Sequence, residues 1–209
     1  MKGRIVALII ILIVVADQAL KFFIKTHYLI GGSHEVLGSF FKLLFVENEG
    51  MAYGWKFGGD IGKLLLTLFR LGAVIFGVFY LRIIIKKKYH PGFIVCAALI
   101  FAGALGNLID SMFYGMIFND SGYIDSGYTT VASFLPKGGG YGTFLHGKVV
   151  DMFSFSIFPP IFNLADASIS TGVIAILVFQ RKFFKKEDPH QAGSELHADS
   201  GVRDNMNVG

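Results

Sequence analysis

Met1-Lys2-Gly3-Arg4-Ile5-Val6-Ala7-Leu8-Ile9-Ile10-Ile11-Leu12-Ile13-Val14-Val15-Ala16-Asp17-Gln18-Ala19-Leu20-Lys21-Phe22-Phe23-Ile24 opens the chain, and the way this stretch ends decides the fold. A basic start and an apolar run also mark a secretory signal peptide, but no small-residue cleavage site follows here. The run passes instead through Asp17 and Lys21 into Phe22-Phe23-Ile24. At helical rise, residues 4–24 cover about 30 Å, the thickness of a bilayer's hydrocarbon. The stretch therefore reads as a retained transmembrane helix.

The rest of the chain agrees with a membrane setting. Its 209 residues are 53% hydrophobic and include 22 Phe, and the mean hydropathy is +0.58, too apolar for a soluble domain of this size. A second span, 61–85, carries Arg70 inside it and ends in Arg82, Lys86, Lys87 and Lys88. The third, 91–110, is rich in small residues (Ala97, Ala98, Ala102, Gly103, Ala104, Gly106), which suits close helix packing in lipid. The last, about 161–180, ends in Arg181-Lys182. An even number of spans puts both termini on one side, and the basic clusters mark that side as cytoplasmic.

The two outer connections, 25–60 and 111–160, contain β-prone runs at Phe40–Asn48 and at Val150–Phe158, the latter alternating as Phe153-Ser154-Phe155-Ser156-Ile157. The expected fold is a membrane all-α core of four transmembrane helices with a small β-rich extracytoplasmic cradle. Residues 1–186 would form this membrane domain, with a Gly-, Tyr- and Ser-containing insert at 112–147. Residues 187–209 read as a disordered, polar cytoplasmic tail.

Several chemistries are excluded by composition and spacing. The net charge of +4 comes from Lys and Arg gathered beside the spans, which is a topology signal and not a nucleic-acid-binding face. Cys96 is the single cysteine and sits among apolar residues, so it reads as a small buried hydrophobe. His27, His34, His90, His146, His190 and His197 are scattered, with no His-Glu-x-x-His pair for zinc. No Gly-x-Ser-x-Gly occurs either. No metal and no cofactor is expected.

The stretch from Lys148 to Asp166 places Asp151 and Asp166 against the last span. Taken alone, they are either an aspartyl dyad sharing a proton or two loop aspartates capping helices. The topology adds depth to the reading. Asp17 and Lys21 (i,i+4), Asn107 and Asp110 (i,i+3), and Asn163 and Asp166 (i,i+3) each share a helix face, and all fall in the outer leaflet. One such pair is ordinary interhelical packing. Three at one depth, beside Asp151, mark a functional site.

The motifs, in order, are Asp17-Gln18-x-x-Lys21, Asn48-x-Gly50-x-Ala52-x-Gly54, Gly106-Asn107-x-x-Asp110, Val149-Val150-Asp151 and Phe162-Asn163-x-Ala165-Asp166. With them the chain resembles the lipoprotein signal peptidases (signal peptidase II) over residues 4 to about 185. The resemblance implies that Asp151 and Asp166 are the catalytic pair of an aspartic endopeptidase, supported by Asn107, Asp110 and Asn163. Asp17 and Lys21 would brace the first helix, and the loop from Asn48 through Gly50 to Gly54 would meet substrate. The implied reaction cleaves the signal peptide from a diacylglyceryl-modified prolipoprotein before the lipidated cysteine. It would take place in the bacterial cytoplasmic (inner) membrane, with the site toward the outer face and membrane lipid as the other partner.

Two positions depart from the resemblance: Tyr53 stands where Phe is usual, and Ser111 where Arg usually follows Gly-Asn-x-x-Asp. Arg70, on a neighbouring span, is expected to supply the missing guanidinium and to orient Asp110 or a substrate carbonyl. Snorkelling to lipid phosphate is the alternative for this residue. The rival function is a small proton-coupled transporter or channel using the same carboxylates. Relays, however, spread acids across the bilayer, and transporters carry inverted halves that are missing here.

Overall fold

The computed structural model describes residues 1–49, 59–124 and 130–184. Gly50 and Gly54, like the tail from 187, lie outside the described residues. Helix α1 runs Gly3–His27, strands β1 and β2 Ser33–Leu37 and Phe41–Asn48, and helices α2 and α3 Gly59–Lys86 and Pro91–Ile109. Helix α3 then widens into a π-turn, Asp110–Tyr114, and closes with a single turn, α4, at Gly115–Ile117. Strands β3 and β4 span Val149–Phe155 and Phe158–Phe162, and α5 spans Leu164–Phe183. Among the described residues, α1, α2, the run Pro91–Ile117 and α5 are each long and apolar enough to cross a membrane.

The helices turn apolar side chains outward, as lipid-facing helices do. Phe69 of α2 is 73% exposed and Leu177 of α5 62%, burial values that would be costly in water. Helix α3 is the hub and packs against α1, α2 and α5. Its small residues make this possible: a Cβ on Gly103 would stand 2.2 Å from the carbonyl oxygen of Ala165, so α5 rests directly on the α3 backbone.

The four strands form one antiparallel sheet in the order β1-β2-β3-β4. Pro159 and Pro160 fall in β4, an edge strand, where a missing N–H costs no ladder bond. The last span starts later than the hydropathy alone indicates. Ile161 and Phe162 complete β4, and Asn163 caps α5.

Two apolar cores result. One joins Val6, Leu81, Ile84, Phe93, Ile94 and Ala98 at the end of the bundle carrying the basic residues. The other joins Ile24 of α1, Phe45, Val150 and Met152 of the sheet, and Tyr114, Phe118 and Ala132. The insert is thus partly built into the fold, since Phe118 and Ala132 belong to it. Between the two cores lies a layer of polar side chains.

Candidate active site

The polar layer is assembled from six segments. Asn163, at the N-cap of α5, accepts from Asp166 N–H at 2.9 Å, and Asp166 Oδ2 accepts from Asn163 N–H at 3.4 Å, which together make a capping box. The Asn163 amide also donates to Asp151 Oδ1 at 2.7 Å. Both carboxylates therefore hydrogen-bond to one residue. Asn48, at the end of β2, donates to Asp151 Oδ2 at 3.1 Å, and Asn107 donates to Asp166 Oδ1 at 2.7 Å. Asn163 Nδ2 lies 3.0 Å from Asn107 Oδ1, which closes the circuit.

Below this circuit is a buried ion cluster. Lys21 Nζ is 2.9 Å from Asp17 Oδ2, 2.8 Å from Asp110 Oδ2 and 2.9 Å from Asn107 Oδ1. Asp17 Oδ1 in turn accepts the N–H of Ala165 at 2.9 Å, beside Asp166. Asp110 accepts from Gln18 at 2.8 Å and from the Val150 N–H at 3.3 Å. Lys21 thus ties α1 to α3, while Asp17 and Asp110 hold the backbone next to Asp166 and Asp151.

Arg70 of α2 supplies the layer's other cation. Its guanidinium donates to Ser111 Oγ at 2.8 Å and faces the charges of Asp166, Asp110 and Asp151. From the sequence, Arg70 is expected to orient Asp110 or a substrate carbonyl. The hydroxyl of Ser111 takes that donor instead, because Asp110 is already held by Lys21, Gln18 and Val150.

Among the described residues, four aspartates here share two cations, so one carboxyl is best accommodated neutral. Asp151 fits that role. Burial first, and then the charge of Asp166, push its carboxyl up to about 7, against the opposing bonds from Asn48 and Asn163. Asp166, in the first turn of α5, sits where a helix favours an anion. A protonated and an ionised carboxyl side by side can together activate water and protonate a carbonyl.

Sequence reasoning passed over several residues that the structure brings in. Gln18 bridges Asp110 and the Tyr114 hydroxyl, which donates to it at 3.2 Å. Lys25 is buried against Glu47, which also pairs with Lys148 at 3.2 Å and accepts from Ser121 at 3.1 Å. Burial opposes the Glu47 charge, yet Lys25 and Lys148 hold its carboxyl below the usual range. A stripe Asp17, Lys21, Lys25 at i,i+4 steps was visible in the sequence and signals a continuous polar face.

The fold is similar to that of solved bacterial membrane enzymes. One determined by the in meso method superposes with a TM-score of 0.57 at 30% identity, covering 88% of this chain and 92% of that one. The fold class is thus a four-span membrane protein with a small antiparallel sheet, as in those membrane enzymes. The family model for signal peptidase (SPase) II matches residues 9–182, and the chain belongs to that family. The lipoprotein signal peptidase of Porphyromonas gingivalis is 41% identical over 197 residues, covering 85% of this chain and 83% of that protein. Those of Amoebophilus asiaticus and Staphylococcus aureus are 31% and 30% identical, over 83% and 82% of this chain and 76% and 84% of theirs.

Proposed function

We propose that this chain is the aspartic endopeptidase that removes signal peptides from diacylglyceryl-modified prolipoproteins, cutting before the lipidated cysteine. The observation that carries the mechanism is the shared Asn163, which hydrogen-bonds Asp151 through its side chain and Asp166 through its cap. Asp166, ionised, takes a proton from water as the oxygen adds to the scissile carbonyl carbon. Asp151 gives its proton to the carbonyl oxygen, so the intermediate is a neutral gem-diol. Collapse of that diol breaks the C–N bond, and the amine leaves with the proton from Asp166, while Asp151 recovers one from the diol. Asn48, Asn107 and Asn163 hold the two carboxyls at fixed angles. Asp17, Lys21 and Asp110 brace them, and Arg70 offsets their charge.

An apolar groove that suits part of an acyl chain supports this reading. It has a volume of about 320 Å³ and is floored by Ala97, Ile100 and Ala104 of α3, with Ala73 and Phe76 of α2 and Ile176 of α5 at its sides. Ala73 is one turn from Arg70 and Ala104 one turn from Asn107, so the groove runs up to the polar layer. We also place both termini in the cytoplasm and the acid site at the outer face. Lys86-Lys87-Lys88 and Arg181-Lys182 lie at the opposite ends of their helices from Arg70 and Asp166.

A pH profile tests the protonation assignment. Asp151 must carry its proton to act as the acid, and its value is raised to about 7, so activity is present below that pH and lost above it. The kcat/KM for a lipidated peptide should fall about tenfold per unit once pH passes ~7, on a single alkaline limb that reports the coupled pair. A profile flat from pH 6 to 9 would remove Asp151 from the acid role.

A further inference from the structure

The insert does more than decorate the outer face. The segment Thr143–Lys148, which closes the insert and leads into β3, lies along the π-turn: Leu145 N–H donates to Met112 O at 3.1 Å, and Gly147 N–H donates to Ser111 O at 2.9 Å. The approach leaves no room for a side chain, since a Cβ on Gly147 would stand 1.9 Å from Asp110 O. Leu145 adopts a left-handed φ of 69°, a conformation that a leucine keeps only where its surroundings impose it. Its carbonyl, turned by that φ, accepts the hydroxyl of Thr67 on α2 at 3.1 Å. Thr67 is 1% exposed, and its hydroxyl also meets Lys63 O at 2.9 Å within its own helix.

Thr67 and Arg70 are three residues apart on one face of α2. One reaches the insert, and the other reaches Ser111 on the turn to which the insert is pinned. Helix α2 packs on α3, and these two hydrogen bonds tie its Thr67–Arg70 turn to the insert and to the π-turn. We propose that Thr143–Lys148 is a clasp that holds the outer end of α2 in register with the acid layer. Thr67 is then a positioning residue that acts through Arg70. The inference rests on the catalytic reading of Asp151 and Asp166, and it assigns the insert a part in that same site.

The test is a double-mutant cycle on the full chain, purified in detergent and assayed with a lipidated prolipoprotein peptide. Thr67→Val keeps the shape and removes the donor, and it should lower kcat about tenfold with KM little changed, since small misplacements of a charged group are costly. Thr67→Ser should cleave at the parent rate. Added to Arg70→Gln, Thr67→Val should cause no further loss, because the group it positions is gone. Thr67→Ala repeats the comparison if valine lowers the yield of folded protein. Parent-rate cleavage by Thr67→Val, or an undiminished loss in the Arg70→Gln background, overturns the clasp while leaving the aspartyl reading intact. Parent-rate cleavage by Asp151→Asn overturns both.

Discussion

Asp151→Asn and Asp166→Asn are each expected to lower cleavage by roughly a thousandfold or more, the loss that follows when a general acid or base is removed from an otherwise intact site. The effect should be chemical and not structural. Asn at 166 keeps one oxygen, for the Asn107 amide or for the Asn163 N–H, and the backbone N–H at 166 still reaches Asn163 Oδ1, so α5 still starts at the same place. At 151 the amide loses one of the two acceptors that Asn48 and Asn163 use, a modest cost.

Stability supplies an independent check on Asp151. A carboxyl raised to about 7 in the fold, above its ordinary value, is most compatible with the folded state when protonated, so its contribution declines as pH rises toward 7. Asn carries no such charge. Asp151→Asn should therefore melt no lower than the parent at pH 8 while remaining inactive. A variant that is both inactive and poorly folded would leave the catalytic role of Asp151 unsupported.

The largest effect on folding is expected at Lys21. Its ammonium is fully buried and touches Asp17, Asp110 and Asn107, so Lys21→Met leaves two buried carboxylates without their cation. Breaking a buried ion pair from one side costs about 3–5 kcal/mol, which is a large share of a typical stability. Thermal unfolding in detergent should show a much lower midpoint, or no monodisperse protein at all. Adding Asp110→Asn should restore part of the loss, because one stranded charge is then removed. If Lys21→Met alone unfolds at the parent temperature, the cluster does not brace the helices.

Much of this architecture is legible in the chain before any coordinates. The spans stand out by hydropathy, and the polar pairs at helical spacing fall at one depth once the basic residues orient the chain. The less legible parts depend on long-range contacts. Strand β1 contains Ser33, His34 and Glu35, and β4 contains two prolines, so neither carries a strand pattern; each forms because β2 or β3 offers it an edge. The π-turn at Asp110–Tyr114 has no sequence mark, and it is accompanied by the insert's amides on Ser111 O and Met112 O. Arg70, expected to orient Asp110 or a substrate carbonyl, bonds Ser111 and faces Asp110 while Lys21 holds that carboxylate directly. Lys25, Glu47 and the part-exposed Lys148 come from three distant segments, and only the fold brings them together.

In the proposed reaction two aspartates, without a metal, cut a lipidated prolipoprotein before its modified cysteine. The most direct measurement is mass spectrometry of the products formed by the purified parent enzyme from matched peptides, one with a diacylglyceryl cysteine and one with free cysteine, with and without a chelator. The expected result is one cut, on the N-terminal side of the lipidated cysteine, at a rate the chelator does not change, and little or no cleavage of the unmodified peptide. Cleavage at another bond, equal cleavage of both peptides, or loss of activity with chelator that zinc restores would contradict it.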